Sequence, residues 1–442
     1  MTVGSLPDIH HPPAALRGSA EVVVIGAGLA GLACARHLSA AGVDVQVVEA
    51  AQAVGGRVRS ETVDGFRVDR GFQLLNPAYP EVVKVLDLDA LDLQPFDAGV
   101  AVHSRGRVST VRDPRRHPGA VLDALRFPLG SAREKAALAR WLLKTTSAAD
   151  LKGADAGWAQ ALDAAEVTGE LRRSVLEPFL AGVVGEAEGT TSRRFVDLLV
   201  RTFLRGTPGL PAGGMQAVPD QMAAALPAGT VVTGVEVRHI GLAPRSLVVE
   251  TAGGGVNCEA IVVATDAYAA AHLVPALRVP DSHALSTFWF GTATSPAPQS
   301  RARLLHLDGD RSGPVVNSAV ISAVAPQYVR AGSEHRALVS AQVLGADVSS
   351  ATEERVRQQL GRVYGVNTAA WTRVAAHAIP HALPVVAPPF EGPQPVDVGD
   401  GVFVAGDHRE NASLQGALVS GRRAADAVLT KAFGRNGFKR AG

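Results

Sequence analysis

The sequence predicts an α/β fold in two parts: a parallel-sheet domain assembled from separate stretches of chain, and an α+β domain made of the segments inserted between them. Three observations carry that prediction. Near the N-terminus a short apolar strand runs into a glycine-spaced turn, a helix, a second strand and an acid. Near the C-terminus a strand, turn and helix have the composition to complete the same sheet. Between these ends the composition leaves the pattern twice and returns, so the first domain is discontinuous.

The N-terminal unit is specific at each position. Val22 to Ile25 is the strand, Gly26-x-Gly28-x-x-Gly31 the turn, and a helix runs through Ala41 to a second strand, Val43 to Val48, ended by Glu49. Gly26 allows the tight turn, Gly28 lets the backbone approach a pyrophosphate, and Gly31 lets helix and strand pack closely. The helix, opened by Leu29 and Ala30, points free N–H groups and its positive dipole end at the phosphates. Glu49 stands where a carboxylate accepts from a ribose, and it would repel a 2′-phosphate. This is a Rossmann-like dinucleotide site.

The elements that follow are read from periodicity. Arg57 to Val63 and Phe66 to Asp69 alternate as strands, and a hairpin turns at Arg105-Gly106. Ala132 to Thr145 is an amphipathic helix, and Thr191 or Ser192 caps another through Leu204. Gly206 to Gly214 is a loop returning to the first domain, where Val231 to Val237, Leu247 to Glu250 and Glu259 to Ala264 read as strands around a turn at Gly253 to Gly255. A second excursion carries strands near Ala284 to Phe290, Arg303 to Leu307, Val315 to Val324 and Ala337 to Leu344, and a helix Thr352 to Tyr364.

The C-terminal block reads Gly-Val-Phe-Val-Ala-Gly-Asp from Gly401 to Asp407, then Leu414-Gln415-Gly416-Ala417. The strand Val402 to Ala405 delivers Gly406 and Asp407 to a loop, where Asp407 suits a ribitol hydroxyl. The helix starting near Leu414 suits a flavin ring over its N-terminus, its dipole favouring the anionic reduced ring.

Four blocks together resemble the flavin amine oxidase superfamily in its broad sense, which includes phytoene desaturases, protoporphyrinogen oxidases, hydroxysqualene dehydroxylase and amine oxidases: Val22 to Glu49, Val54-Gly55-Gly56-Arg57, Pro211 to Pro219, and Gly401 to Gly421. The resemblance implies FAD as cofactor. It also implies that Gly55, Gly56 and Arg57 contact the phosphates or flavin, that Val235 contacts adenine through its backbone, and that Gln415, Gly416 and Ala417 belong to the flavin end. A surface arginine closing a turn is the other reading of Arg57. In this division residues 1–20 are a flexible leader containing His-His-Pro-Pro. Residues 21–80, 206–277 and 390–442 form the FAD-binding domain, and residues 81–205 and 278–389 form the substrate domain.

Subclass is read from what is missing. Many amine oxidases place a lysine against the flavin, but no lysine occurs between Lys152 and Lys431. The aromatic residues they set near the C-terminal block are replaced by His408-Arg409-Glu410-Asn411. The segment Leu176 to Gly185 instead resembles a loop of the desaturase and protoporphyrinogen oxidase relatives. The expected activity is hydride removal from an apolar, isoprenoid or lipid-like small molecule. The alternatives are a redox-neutral isomerase or dehydroxylase, an amine oxidase, and a non-catalytic binding protein of the GDP-dissociation inhibitor kind. His408, His381 and Gln73 are the catalytic candidates. His377 is the better fit to ordinary packing, and Asp69 can equally brace a turn.

Composition bounds the partners. Length suffices for two cores, and a net charge of +1 argues against nucleic acid. Cys34 and Cys258 read as reduced core residues without metal-ligand spacing, so no metal is expected. With no second glycine triplet after a strand, NAD(P)H is not the expected reductant, which leaves O2 or a quinone as electron acceptor. No segment reads as a transmembrane helix or export signal. A cytoplasmic enzyme with room for peripheral membrane contact is expected.

Overall fold

A computed structural model describes residues 15–113, 116, 127–146, 154–243, 246–333 and 335–434. Most of the expected leader, residues 1–14, lies outside the described residues.

The first sheet has the order Asp397–Gly399, Val402–Val404, Ala260–Val263, Val22–Ile25, Val45–Val48, Val231–Val232. Val22 pairs in parallel with Val45 on one side and Ala260 on the other. Every residue of these three central strands is buried, as expected of a parallel sheet covered on both faces. Helix Leu29–Ala40 packs against helix Leu414–Lys431, and glycine makes both contacts possible. A Cβ at Gly31 would lie 1.9 Å from the Gly26 carbonyl oxygen, and one at Gly421 would lie 2.1 Å from that of Ala30. The two distant ends of the chain thus meet at this sheet, through the packing of these two helices.

The second sheet has seven strands in the order Thr372–Pro384, Ser282–Thr292, Ala337–Leu344, Val315–Val320, Leu305–Asp308, Gly99–Ser104, Arg107–Arg112. Only the pair Leu305–Asp308 with Gly99–Ser104 is parallel. The hairpin turn falls at Arg105 and Gly106, both left-handed at φ 54° and 71°. Its longest strand, Thr372–Pro384, is one the sequence does not announce, because Pro380 interrupts the pattern.

Other elements differ from the sequence reading for local reasons. Gly234, at φ 73°, breaks the expected strand Val231 to Val237, and the chain resumes at Val237–Ala243 in a separate three-stranded meander with Ser246–Thr251 and Gly254–Cys258. The expected strand Val315 to Val324 stops at Val320, and Ile321–Val324 forms a helical turn. Leu176 to Gly185 is a helix, Glu177–Val184, rather than a loop: Pro178 sits in its first turn and Gly185 ends it in the left-handed region. The domains also interleave more than the division at residue 80 implies. Val82, Leu86 and Leu91 are buried with Val22 and Leu32, while Phe66 and Val68 are buried with Trp289 and Tyr328. Among the described residues, no helix is long and apolar enough to cross a membrane. Both cysteines are buried and free, and burial pushes the Cys258 thiol up to about 12.

Candidate active site

A cavity of about 860 Å³ runs from the glycine turn across the face of the seven-stranded sheet. At the turn, Gly26 has φ 101°, and a Cβ there would lie 2.9 Å from the Ala264 carbonyl oxygen. Gly28 is extended, and a Cβ on it would meet nothing within 4 Å. Gly28, Leu29 and Ala30 all line the cavity. The space in front of Gly28 is therefore open, beside first-turn N–H groups that have no intrahelical acceptor. Glu49 is held at the same wall by N–H groups of Ala27 at 2.7 Å and Ala51 at 2.8 Å. Gly55 and Gly56, at φ 116° and 60°, fold a second loop over the first, with the Gly55 N–H donating to the Ala27 carbonyl at 2.8 Å.

Arg57 joins the two ends of the chain. Its guanidinium donates to Asp407 Oδ1 at 2.7 Å and to the Ala382 carbonyl at 2.8 Å. Burial works to lower the Arg57 pKa, and the adjacent Asp407 carboxylate overrides it, holding the value above the usual one. Gly406 and Asp407 line the cavity, followed by Ser413, Leu414 and Ala417 at the start of the last helix. Ser413 caps that helix by accepting from the Gly416 N–H. Gln73 also lines the cavity; its Nε2 donates to the Arg57 carbonyl at 2.9 Å, while Oε1 is buried with no partner. The open space at Gly28, the carboxylates at its two ends and the orphaned Gln73 acceptor fit a bound dinucleotide with a ring system near Gln73.

Several candidates stand elsewhere. His381 is exposed, stacks on Tyr268 with ring centroids 3.8 Å apart, and meets Ser282 Oγ at 2.8 Å in a small crevice behind Arg57. His408 does not line the cavity, and neither ring nitrogen has a partner. Burial lowers its pKa to about 4, with Arg409 and Arg57 acting the same way against Asp407, so it is neutral near pH 7. Both histidines, expected as catalytic candidates, thus stand off the wall of the large cavity. Gln415 turns away to accept from the Glu81 N–H at 2.9 Å, and Gly416 is there because a Cβ would lie 2.1 Å from the Asn411 carbonyl oxygen. The Val235 N–H is taken by the Glu49 carbonyl, so that donor is not free for adenine. His377 lies 3.4 Å from Glu61. Asp69 accepts from Ser60, Met215 N and Tyr328, tying the Pro211 to Pro219 block to the first domain.

The rest of the wall escaped the sequence reading. Phe72, Phe96, Trp141, Phe179, Phe203 and Leu305 line it, together with the amides Asn317 and Gln342. Apart from Phe179, in the Leu176 to Gly185 segment, these aromatic and aliphatic residues carry no motif and read as core. The amides carried a usable signal, being polar residues inside apolar strand segments.

Comparison with known proteins agrees with this geometry. A family model described as flavin containing amine oxidoreductase matches residues 29–429. Putrescine oxidase of Kocuria rosea is 49% identical over 84 residues, 19% of this chain and 18% of that protein. Protoporphyrinogen oxidase 2 of Arabidopsis thaliana is 40% identical over 87 residues, 20% of this chain and 16% of that protein. The chain thus spans less than a fifth of the length of these curated relatives. The crystal structure of an oxidoreductase from Methanosarcina mazei superposes with a TM-score of 0.71 at 17% identity, covering 91% of this chain and 99% of that one, a likeness of fold alone.

Proposed function

The chain belongs to the flavin containing amine oxidoreductase family, and from that premise we propose that it is an FAD-dependent oxidoreductase that removes a hydride from an apolar small molecule. The observation that carries the substrate class is the wall beyond Gln73, where Phe72, Phe96, Phe179 and Phe203 present apolar surface, although Asp97, Arg112, Asp113 and Arg116 also belong to the lining. When bound, FAD supplies a two-electron acceptor.

The residues of this chain do the rest. Gly28, Leu29, Ala30, Gly55 and Gly56 hold the pyrophosphate, and Glu49 holds the adenosine ribose. Asp407, oriented by Arg57, holds the ribitol. The N-terminus of the Leu414–Lys431 helix, whose first residues line the cavity, would favour negative charge on a ring bound there. The apolar wall excludes water and orients the substrate C–H bond by shape. No histidine is assigned to proton transfer, because His381 lies in the crevice behind Arg57 and His408 is not among the residues that line the cavity. The acceptor that reoxidises the enzyme is O2 or a quinone; the glycine cluster at Gly253 to Gly255 lies in the meander and forms no second nucleotide turn.

The test is anaerobic flavin reduction by a panel of isoprenoid, lipid, porphyrinogen and amine compounds. Reduction by an apolar member and none by simple primary amines or polyamines is expected. Rapid bleaching by a simple amine would overturn the substrate class.

A further inference from the structure

Several strands of the seven-stranded sheet line the cavity, through Leu383, Gln342, Asn317, Leu305 and Val100 among others. Asn317 and Gln342 are amides among the apolar residues Leu383, Leu305, Val100 and Val111 that these strands present to the cavity. They sit opposite each other in register and are 5% and 2% exposed at Asn317 and Gln342.

Their orientation follows from one carbonyl. The Gly182 oxygen can only accept, so the Gln342 group 3.0 Å from it is Nε2. That turns Gln342 Oε1 toward Asn317, whose Nδ2 donates to it at 3.0 Å. Asn317 Oδ1 is the group left over. It has no partner among the described residues, yet it is not sealed from solvent, and the access it has is through the cavity that the residue lines. Helix Glu177–Val184 makes room for the arrangement with Gly182, where a Cβ would lie 2.1 Å from Asn317 Nδ2. Burying two amides in an apolar wall is costly unless their polar atoms are satisfied. The unused acceptor marks where a ligand donor belongs. The partners of the two amides are each other and the Gly182 carbonyl, with no carboxylate among them, so an ammonium there would be desolvated without a counter-charge and the acceptor suits a neutral donor.

We propose that the cavity takes an apolar molecule bearing one neutral hydrogen-bond donor, a hydroxyl or N–H, and that Asn317 Oδ1 receives it, with Gln342 and Gly182 as positioning residues. This rests on reading the cavity as the substrate site, and it sets a pure hydrocarbon apart from the preferred ligand.

The test is titration of the holoenzyme with 1-dodecanol, dodecyl methyl ether and dodecylammonium, followed by fluorescence of Trp141 on the cavity wall. The alcohol is expected to bind about tenfold tighter than the ether, as for one neutral hydrogen bond. Asn317→Leu should abolish that preference by weakening the alcohol and sparing the ether, and Asn317→Ala serves if the leucine variant does not fold. Equal wild-type affinities for alcohol and ether, a preference kept in the variant, or tightest binding by dodecylammonium would each overturn the proposal. Because the signal comes from tryptophan, an alcohol preference in protein that holds no flavin would sink the functional reading and leave this site standing. A flavoenzyme without the preference would do the reverse.

Discussion

Gly28→Ala separates binding from folding. Gly28 precedes helix Leu29–Ala40 with φ −72° and ψ 177°, a conformation any residue adopts, and an added Cβ meets nothing within 4 Å. The variant should therefore keep its stability to within about 0.5 kcal/mol. The same methyl enters the space assigned to the pyrophosphate and pushes it off the first-turn N–H groups. Two charged hydrogen bonds lost at roughly 1.5–3 kcal/mol each amount to about two to four decades of FAD affinity. Chemical denaturation of the apoprotein gives the first quantity, and flavin fluorescence titration the second. Wild-type FAD affinity in a folded Gly28→Ala protein would refute the placement of the phosphates, and Gly28→Val should show the same loss more severely.

Four other outcomes follow from the same geometry. Gly31→Ala should fail in the opposite way, because its Cβ would lie 1.9 Å from a backbone oxygen; overpacking of this kind costs roughly 1–3 kcal/mol or more, seen as a lower denaturation midpoint without flavin. Asp407→Ala should weaken FAD by one to two decades, from roughly 1.5–3 kcal/mol, and unchanged affinity in a titration would place the ribitol elsewhere. Burial raises the Asp69 pKa from 3.8 to about 6 against the hydrogen bonds it accepts; its stabilisation is full below the unfolded value and lost as pH rises through the folded one. Asp69→Asn should therefore gain stability relative to wild type between pH 4 and 7 in denaturation curves, and a constant difference would refute that shift. His381→Ala should slow flavin reduction by far less than the roughly hundredfold that a general acid–base residue supplies, as read by anaerobic stopped flow.

What could be read from the sequence and what could not divide along physical lines. The run from Gly26 to Glu49 was legible because each glycine answers a separate local demand, two of them now visible as contacts under 3 Å to any added Cβ. Arg57 and Asp407 were legible only as members of motifs; their mutual ion pair, bridging residues 350 apart, was not. The positions of His381 and His408 off the cavity wall were not legible, because chain proximity to the flavin block says nothing about which side of Arg57 a ring occupies. The contact of Gln415 with the Glu81 N–H was not legible, because a helix N-terminus turns adjacent side chains in different directions. The substrate wall was illegible for a further reason. A residue facing a cavity and a residue facing the core obey the same apolar periodicity, so Phe179 and Phe203 cannot be told apart from packing until the sheet is seen.

The central claim is that the two ends of the chain hold one FAD molecule. The direct measurement is the visible absorption spectrum of the purified protein, with identification of the chromophore released on denaturation. The account predicts a yellow protein that releases FAD, and a colourless protein that takes up none when FAD is added would contradict it.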